Sequence, residues 1–338
     1  MGTGTLARIS GKQPGRTILL RGDIDALSVK EETGLPYAST NPGVMHACGH
    51  DCHISMLLTA VHMIHDIQDQ LKGTVVFAFQ PAEEIGRGAQ SMIAEGALEG
   101  VDACFGMHVW SDVAAGKVAM RKGAMMASGD RFKVKVIGKS GHGAQPQRAV
   151  DAVVMGAAIV QNLQSLVSRE LDPIDTAVVT VGKFTGGTRF NVIAGTAELE
   201  GTTRAFNPEV RNSFAERITR IAKSTAEAMR GTAEVEYEYL VPVTINDPKM
   251  IDVAAGAAKK IFGEDGVLEA PQMMGGEDFS YYQEKIPGAM VLLGVRNEAL
   301  GAVWPQHHGC YRVDESVLVK GAALHVQTAL DFLGVELH

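Results

Sequence analysis

The sequence is poor in cysteine and lacks the long runs that mark several classes of protein. Its 338 residues include four cysteines, at positions 48, 52, 104 and 310. So few thiols do not suggest a disulfide framework, and they favour a reducing cytoplasm. No basic run occurs, which argues against a nucleic-acid partner. No apolar stretch is long enough for a membrane span, and the opening residues MGTGTLARIS lack the pattern of a signal peptide.

What is present is the composition of a folded protein. Hydrophobic residues make up 46% of the chain and charged residues 21%, with a net charge of −8. The length exceeds the usual limit for one hydrophobic core, so we expect two domains.

Three short apolar segments, at 17–20, 74–79 and 103–107, have the character of buried strands. Helical spacing at 54–67 and 89–95 separates them. Alternating strands and helices favour an α/β layer with a mixed, mostly parallel sheet flanked by helices. Each strand ends in residues that could line a site, since ligands bind at the carboxyl ends of such strands. These residues are Asp23 and Asp25, Glu83 and Glu84, and His108.

The pattern changes after about residue 120. Residues 131–137 alternate as a half-exposed strand does, and a helix is expected over 149–168. Strands at 176–184 and 196–204, a helix at 208–229 capped by Asn207, and a strand at 233–240 follow. This β-α-β-β-α-β order is ferredoxin-like. From 246 onward the sequence again shows alternating helix and strand patterns, with helices expected at 248–262 and 315–332 and a strand at 289–293. We therefore predict a discontinuous catalytic domain, 1–119 and 241–338, with an α+β domain inserted at 120–240.

The densest chemical signal is the run from His46 to His53, which holds three histidines, two cysteines and an aspartate in eight positions. Such ligands suit Zn²⁺, Mn²⁺, Co²⁺ or Ni²⁺. No second Cys/His pair follows at a zinc-finger distance. Further candidate ligands come from distant segments, which is typical of a catalytic site. They are Glu83, Glu84, His108, His142, His307 and His308.

Hydrolysis at such a centre needs a base as well as ligands. Glu83 and Glu84 follow a buried strand, and adjacent residues of an extended segment point in opposite directions. One of them can bind metal while the other reaches the attacking water. The main rival is a cysteine amidase with Cys48 as a nucleophile activated by histidine. That mechanism leaves the other histidines and Glu84 without a role.

Three residues of the inserted domain are candidates for contact with a substrate. His142 lies between glycines, which allow close backbone approach. Asn191 could donate a hydrogen bond to a carbonyl oxygen, and Arg204 could hold a carboxylate in bidentate fashion. In the polar loop 275–278, Gly275 is a further candidate for substrate binding.

Together these motifs resemble the metal-dependent amidohydrolase and peptidase family of aminoacylases, glutamate-releasing carboxypeptidases, hippurate hydrolase and the plant auxin-conjugate hydrolases. The resemblance is closest to the hippurate and auxin-conjugate branch. The segments that carry it, in order, are RGDIDALSVKEETGLPYAS, MHACGHDCH, FQPAEEIGRGA, GMHVW, GKSGHGAQP, RFNVIAGTAELEGTTRAFN, GGEDFSYY and WPQHHGC.

The resemblance implies a two-metal catalytic domain and an inserted lid that also pairs two chains into a homodimer. By position it implies metal ligands at Cys48, His50, Glu84, His108 and His307. It further implies Glu83 as general base for attack by metal-bound hydroxide, His142 and Asn191 as oxyanion donors, and Arg204 as the group that holds the free carboxylate of the substrate.

The sequence departs from the family pattern at three places. The last histidine motif reads Gln306-His307-His308-Gly309, so His308 is the alternative to His307 as a ligand. Cys52 stands where glycine is usual. The family's N-terminal helical stretch, with its Arg-Arg-x-Leu-His and Pro-Glu-Leu pattern, is not found.

We therefore expect an amidohydrolase that cleaves N-acyl amino acids, with two divalent ions of Zn, Mn, Co or Ni as cofactors. The alternatives are a dipeptidase or carboxypeptidase of the same family, or a catalytically inactive metal-binding relative. We expect a homodimer paired through the lid, with no membrane or nucleic-acid partner.

Overall fold

The apolar runs of the N-terminal part form the centre of a seven-stranded sheet, in a computed structural model that describes residues 2–337. The strands found in these residues are β1 (Thr5–Ser10), β2 (Gln13–Asp23), β3 (Lys72–Gln80), β4 (Ala103–Ala114), β5 (Val118–Met120), β6 (Gly123–Met126), β7 (Gly129–Ile137), β8 (Gly141–His142), β9 (Ala177–Gly186), β10 (Val192–Ile193), β11 (Thr196–Ala205), β12 (Thr232–Val241), β13 (Thr244–Asn246), β14 (Val267–Glu269) and β15 (Gly288–Arg296). The α-helices are α1 (His50–Asp66), α2 (Gly88–Ala94), α3 (Ala152–Ser165), α4 (Pro208–Ala228), α5 (Pro248–Phe262), α6 (Ser280–Gln283) and α7 (Leu318–Leu333).

The chain divides into two compact units. The first contains the described residues up to 125, residues 244–272, and those from 277 onward. Its sheet has the order β1-β3-β2-β4-β15-β5-β14. β3, β2, β4 and β15 run parallel, while β1 and β5 are antiparallel to their neighbours β3 and β15. Helix α7 packs on both α1 and α5, and α1 and α7 also contact β2. The predicted α/β class, with a mixed sheet and flanking helices, is confirmed.

The second unit contains residues 126–243 and 273–276. Its antiparallel sheet has the order β12-β7-β11-β9, and α3 and α4 pack on each other and on this sheet. Along β7 the even positions Asp130, Phe132, Val134 and Val136 are buried. The odd positions lie on the face without helices, as alternation along a strand requires.

Several element boundaries differ from the sequence expectations. The first helix starts at His50 rather than 54, so the histidine-rich run supplies its first turn. The strand expected to end at 107 continues to Ala114, because it pairs with β15 along that length. The helix expected at 149–168 begins only at Ala152, after its Asp151 cap. Asn207 caps α4 as predicted, accepting a hydrogen bond from the Glu209 N–H at 2.9 Å. No helix in residues 2–337 is long and apolar enough to cross a membrane.

Candidate metal centre and substrate site

Parallel pairing brings the polar ends of neighbouring strands of the first unit together. β2 ends at the buried Asp23, and β3 leads into the turn that carries Glu83 and Glu84. β4 carries His108, within the strand rather than at its end. His50 opens α1 directly after Gly49, which has a φ of 84°. The carboxyl ends of β2 and β3 and the start of α1 therefore converge on one place.

Five donor residues predicted as ligands lie in overlapping groups at this place. Cys48, His50 and His108 form one group, and Cys48, Glu84 and His307 form another. Within each group the candidate ligand atoms lie within 4.8 Å of one another. The two groups share Cys48, so the arrangement offers two adjacent positions for an ion, which is the geometry of a binuclear site.

Both buried imidazoles are held so that one ring nitrogen stays available. His50 Nδ1 donates to the carbonyl oxygen of Asp25 at 2.9 Å, and His108 Nδ1 donates to that of Val109 at 2.6 Å. A backbone carbonyl can only accept, so Nδ1 carries a proton in each ring, and Nε2 is the nitrogen left to hold a cation, whether a proton or a metal ion. This is the orientation that metal-binding histidines show.

The side chains fit a bound cation, because two buried polar atoms of the cluster lack partners. His50 Nε2 and Glu84 Oε1 have no hydrogen-bond partner among the described residues. Burial would lower the pKa of His50, but the charges of Asp23 and Asp25 outweigh it and raise the pKa to about 9. The cluster therefore favours positive charge at the position of these atoms.

The structure separates the two candidate histidines of the last motif. His307 Nε2 lies 3.4 Å from Glu84 Oε1. His308 instead stacks on Trp304, with ring centroids 4.4 Å apart, and its Nδ1 accepts a hydrogen bond from the Cys310 N–H. His307 has a φ of 67°, which is unusual for a residue other than glycine. Strained backbone of this kind is common at functional sites, and the geometry favours His307 as the ligand.

The Glu83–Glu84 segment is a turn, which corrects the expectation of an extended segment. Ala82 has a φ of 62°, and the Gly86 N–H donates to the Glu83 carbonyl oxygen at 2.7 Å. The two carboxylate oxygens of Asp25 accept the backbone N–H groups of Glu83 and Glu84, each at 3.1 Å. Asp25 thus fixes the turn and still leaves the two glutamate side chains in different surroundings.

A buried network of charged side chains lies beside Glu83. The sequence pattern indicated only the acidic members of this network, at the end of a strand and in the polar loop 275–278. Arg21 is fully buried and pairs with Asp23, Glu277 and Asp278 at 2.9 Å each. The pKa of Glu83 lies well above its ordinary value. Burial is the largest cause, and the charges of Glu277 and Asp278 are the next largest. The sequence feature that could have indicated this network is Arg21, a charged residue directly after the apolar run TILL.

His53 belongs to this network rather than to the group of available ligands. Its Nδ1 is hydrogen-bonded to Asp23, and its Nε2 accepts the Val109 N–H at 2.9 Å. Both ring nitrogens are therefore in use, so His53 supports the cluster from outside.

The surroundings of Cys48 disfavour the cysteine-amidase alternative. Its Sγ lies 3.4 Å from His108 Nε2. The pKa of the thiol is raised, mainly by burial and to a smaller extent by the charges of Glu84 and Glu83. Burial also lowers the pKa of His108, so this neighbour does not supply the imidazolium that activates the thiol of a cysteine amidase. Cys52 and Cys104 are buried, and Cys310 is partly buried near His308.

In the second unit, His142 and Asn191 lie side by side. β8 pairs with β10 so that His142 is opposite Val192, and the Gly143 N–H donates to the Asn191 carbonyl oxygen at 2.9 Å. His142 Nδ1 accepts the Ala144 N–H at 3.1 Å. The neutral ring therefore carries its proton on Nε2, and His142 is exposed, so this N–H can donate to a ligand.

Arg204 is half-buried in the second unit and has no acidic partner. Its Nη1 donates to Thr202 Oγ1 at 3.0 Å and to the Thr203 carbonyl oxygen at 3.2 Å. No carboxylate within residues 2–337 forms an ion pair with it. Burial lowers its pKa. Gly275 is exposed in the 273–276 segment of the same unit.

Comparison with known proteins shows which family the chain is similar to. The model of peptidase family M20/M25/M40 matches residues 19–331. The chain is 39% identical to N-acetyl-L-cysteine deacetylase of Bacillus subtilis, covering 97% of this chain and 77% of that protein. It is 39% identical to the IAA-amino acid hydrolase ILR1-like 4 of Arabidopsis thaliana, covering 94% and 73%.

A solved structure is also similar along nearly the whole chain. It is the YXEP protein of Bacillus subtilis, described as a dinuclear metal binding peptidase from the M20 family. It superposes with a TM-score of 0.86 at 36% identity and covers 99% of this chain and 86% of that one. The matched family model spans both units, and the chain therefore belongs to peptidase family M20/M25/M40.

Proposed function

We propose that this protein hydrolyses the amide bond of N-acyl amino acids with two divalent transition-metal ions. The observation that carries the proposal is the pair of ligand groups that share Cys48. Two of their buried donor atoms, His50 Nε2 and Glu84 Oε1, have no hydrogen-bond partner among the described residues. The similarity to an N-acetyl-L-cysteine deacetylase and to an IAA-amino acid hydrolase supports the substrate class.

The ligands would be Cys48, His50, Glu84, His108 and His307. Thiolate, imidazole and carboxylate donors together suit Zn²⁺, Mn²⁺, Co²⁺ or Ni²⁺. When bound, such ions polarise a carbonyl oxygen and lower the pKa of water. The description of the similar YXEP protein as dinuclear supports two ions.

Glu83 is the proposed general base. It takes a proton from the attacking water and delivers it to the nitrogen of the leaving amine. Two features support this role. Asp25 fixes its backbone, and the enclosed, acidic surroundings raise the pKa of its carboxyl group, which makes proton uptake favourable.

The second unit would supply the remaining contacts. The Nε2–H of His142 and the side-chain amide of Asn191 can donate to the developing oxyanion. Arg204, which forms no ion pair with a carboxylate of residues 2–337, can bind the free carboxylate of the amino acid. Gly275, exposed and without a side chain, lets the substrate backbone approach closely.

We further propose that the second unit acts as a lid and pairs two chains. β9 lies at the edge of its sheet and so has unpaired backbone groups along one side. Apolar side chains lie exposed beside it, with Val154 56% and Phe184 40% accessible. A second copy of this chain could cover both. All four cysteines are free thiols, which is consistent with a cytoplasmic location.

A substrate screen tests the proposal. The protein is stripped with a chelator, reloaded separately with Zn²⁺, Mn²⁺, Co²⁺ or Ni²⁺, and offered N-acetyl and N-benzoyl amino acids alongside dipeptides. We expect amine release from the acyl amino acids, loss of activity on chelation, and up to two ions per chain by elemental analysis. Faster cleavage of dipeptides would favour the peptidase alternative. No turnover with any ion would refute the proposal.

A further inference from the structure

We infer that Gly129 and Thr202 are positioning residues that set the orientation of the Arg204 guanidinium for a carboxylate ligand. This inference rests on the proposed function, because it assigns a role to residues that do not themselves touch the substrate. It concerns one face of the sheet in the second unit, where β7 and β11 are neighbours.

The first argument is the space that Gly129 leaves. The odd positions of β7 that follow it, Arg131, Lys133 and Lys135, carry long basic side chains on the face without helices. Gly129 carries none. A Cβ built at Gly129 would lie 2.5 Å from Arg204 Nη1 and 3.1 Å from Cζ. The guanidinium therefore occupies the place that a side chain at 129 would fill.

The second argument is that Thr202 accepts a hydrogen bond from only one nitrogen of the guanidinium, Nη1. The Thr202 hydroxyl donates to the Asp130 carbonyl oxygen at 2.8 Å, so its lone pair accepts from Arg204 Nη1 at 3.0 Å. The Thr203 carbonyl oxygen accepts from the same nitrogen. Nε and Nη2 have no acceptor among residues 2–337. The Nε–Nη2 edge is thus left for a bidentate carboxylate.

The third argument is that Asp130, a buried acid on the neighbouring strand β7, cannot compete for Arg204. The Asp130 carboxylate accepts two hydrogen bonds from Arg211, at 2.8 and 2.9 Å. It also accepts from the Tyr237 hydroxyl at 3.2 Å and from the Leu240 N–H at 2.9 Å. Asp130 belongs to the helix-covered face, with Phe132 and Val134. Its negative charge is therefore committed to α4 and β12, which keeps Arg204 without an internal partner.

The test compares variants on an N-acyl amino acid and on its carboxamide, which lacks the charge. Thr202→Val keeps the shape and removes the hydroxyl. We expect KM for the acid to rise roughly tenfold, the effect of one charge-assisted hydrogen bond, with kcat and the carboxamide kinetics unchanged. Thr202→Ser should restore the wild-type KM.

Gly129→Ala provides a second variant that acts through space rather than through a hydrogen bond. The clash falls on the end of a flexible side chain, so we expect an unchanged melting temperature and the same selective rise in KM. The matched control is Thr180→Val. Thr180 is the cross-strand partner of Thr202 on the same face but has no hydrogen bond to Arg204.

Binding measured without turnover separates this inference from the proposed function. Calorimetry with an N-benzyl amino acid, in which an amine replaces the amide, gives a Kd that requires no hydrolysis. Weaker binding of the acid by Thr202→Val and Gly129→Ala, but not by Thr180→Val, supports the inference even if hydrolysis is absent. Equal Kd and KM values for Thr202→Val and Thr180→Val overturn it, even if the wild type hydrolyses acyl amino acids as proposed.

Discussion

Glu83 and Glu84 are neighbours in the chain, but the fold gives them different electrostatic surroundings. Glu84 Oε1 faces His50 and His307, at 3.9 and 3.4 Å from their Nε2 atoms. The Glu83 carboxyl instead lies beside Asp278, whose backbone N–H is 3.4 Å from its Oε1. A carboxylate among imidazoles suits a cation, whereas one near other acids holds a proton more readily.

The first prediction concerns Glu83→Gln, which keeps the shape of the side chain and removes the base. We expect kcat to fall by roughly 10²–10⁴, because the amide cannot accept a proton from water. Metal content should not change, since Glu83 is outside the proposed ligand set. Steady-state kinetics and elemental analysis on the same sample measure both quantities.

Glu84→Gln is the matched control for this substitution. It removes a proposed ligand, so bound metal should fall together with activity. An active Glu83→Gln enzyme would show that our assignment of the two glutamates is wrong.

The second prediction concerns His325, a core residue of α7. It is 1% exposed, its ring packs edge-on against Phe105, and its Nδ1 has no partner among the described residues. Burial lowers its pKa to about 3. The unfolded chain therefore takes up a proton on this residue at a higher pH than the native protein does. Its contribution is fully present above about pH 6.5 and is lost as the pH falls from there towards 3.

His325→Leu should flatten this dependence. The stability of the wild type should fall relative to the variant by about 1.4 kcal/mol per pH unit below roughly pH 6. Urea unfolding at several pH values between 7 and 4.5 measures the difference. His65→Leu, at an exposed position on α1, is the control and should follow the wild type. Parallel curves for the wild type and His325→Leu would contradict the prediction.

At the scale of elements, three of the longer helices are each preceded by a residue whose side chain caps the first turn. These caps are Asp151 for α3, Asn207 for α4 and Asp247 for α5. The carboxylate of Asp247 accepts the N–H groups of Lys249 and Met250, at 2.9 and 3.0 Å, and Pro248 occupies the first helical position. Each cap satisfies N–H groups that the helix itself cannot.

The third prediction is that Asp247→Ala destabilises the protein by about 1 kcal/mol, because both N–H groups lose their acceptor. The midpoint of urea unfolding should move accordingly. Asp247→Asn keeps a side-chain oxygen and should remain close to the wild type. An equal loss in both variants would mean that the charge, rather than the hydrogen bonds, stabilises the start of α5.

At the scale of the whole molecule, the proposed chemistry draws on residues of both compact units. Glu83 belongs to the first unit and His142 to the second. If the lid pairs two chains, His142 of one chain can serve the centre of the other. Removal of an oxyanion donor costs about 10²–10³ in turnover, so His142→Ala alone should be nearly inactive.

The fourth prediction is that activity returns when His142→Ala and Glu83→Gln chains are mixed. A mixed dimer would contain one site with an intact base and an intact histidine. Activity is followed after incubation that allows subunit exchange, and light scattering measures the oligomeric state. No recovery despite proven exchange would mean that His142 acts within its own chain or has no role in catalysis.

The sequence by itself determined the types of element and the types of chemistry. Apolar runs marked β2 and β3, alternation marked β7, and Asn207 marked the start of α4, because these signals depend on neighbours a few residues apart. The same local information placed thiol, imidazole and carboxylate groups in short motifs, and their order carried the family resemblance.

Only the tertiary structure decided how those groups are oriented. The Asp25 carbonyl leaves His50 Nε2 available, while Asp25 also holds the turn of Glu83 and Glu84. His307 faces Glu84, whereas His308 turns to Trp304. These contacts join residues far apart in the chain, and hydrophobic periodicity contains no information on such pairings. The free edge of Arg204 is likewise a product of packing, because it depends on a nearby buried acid being committed to other partners.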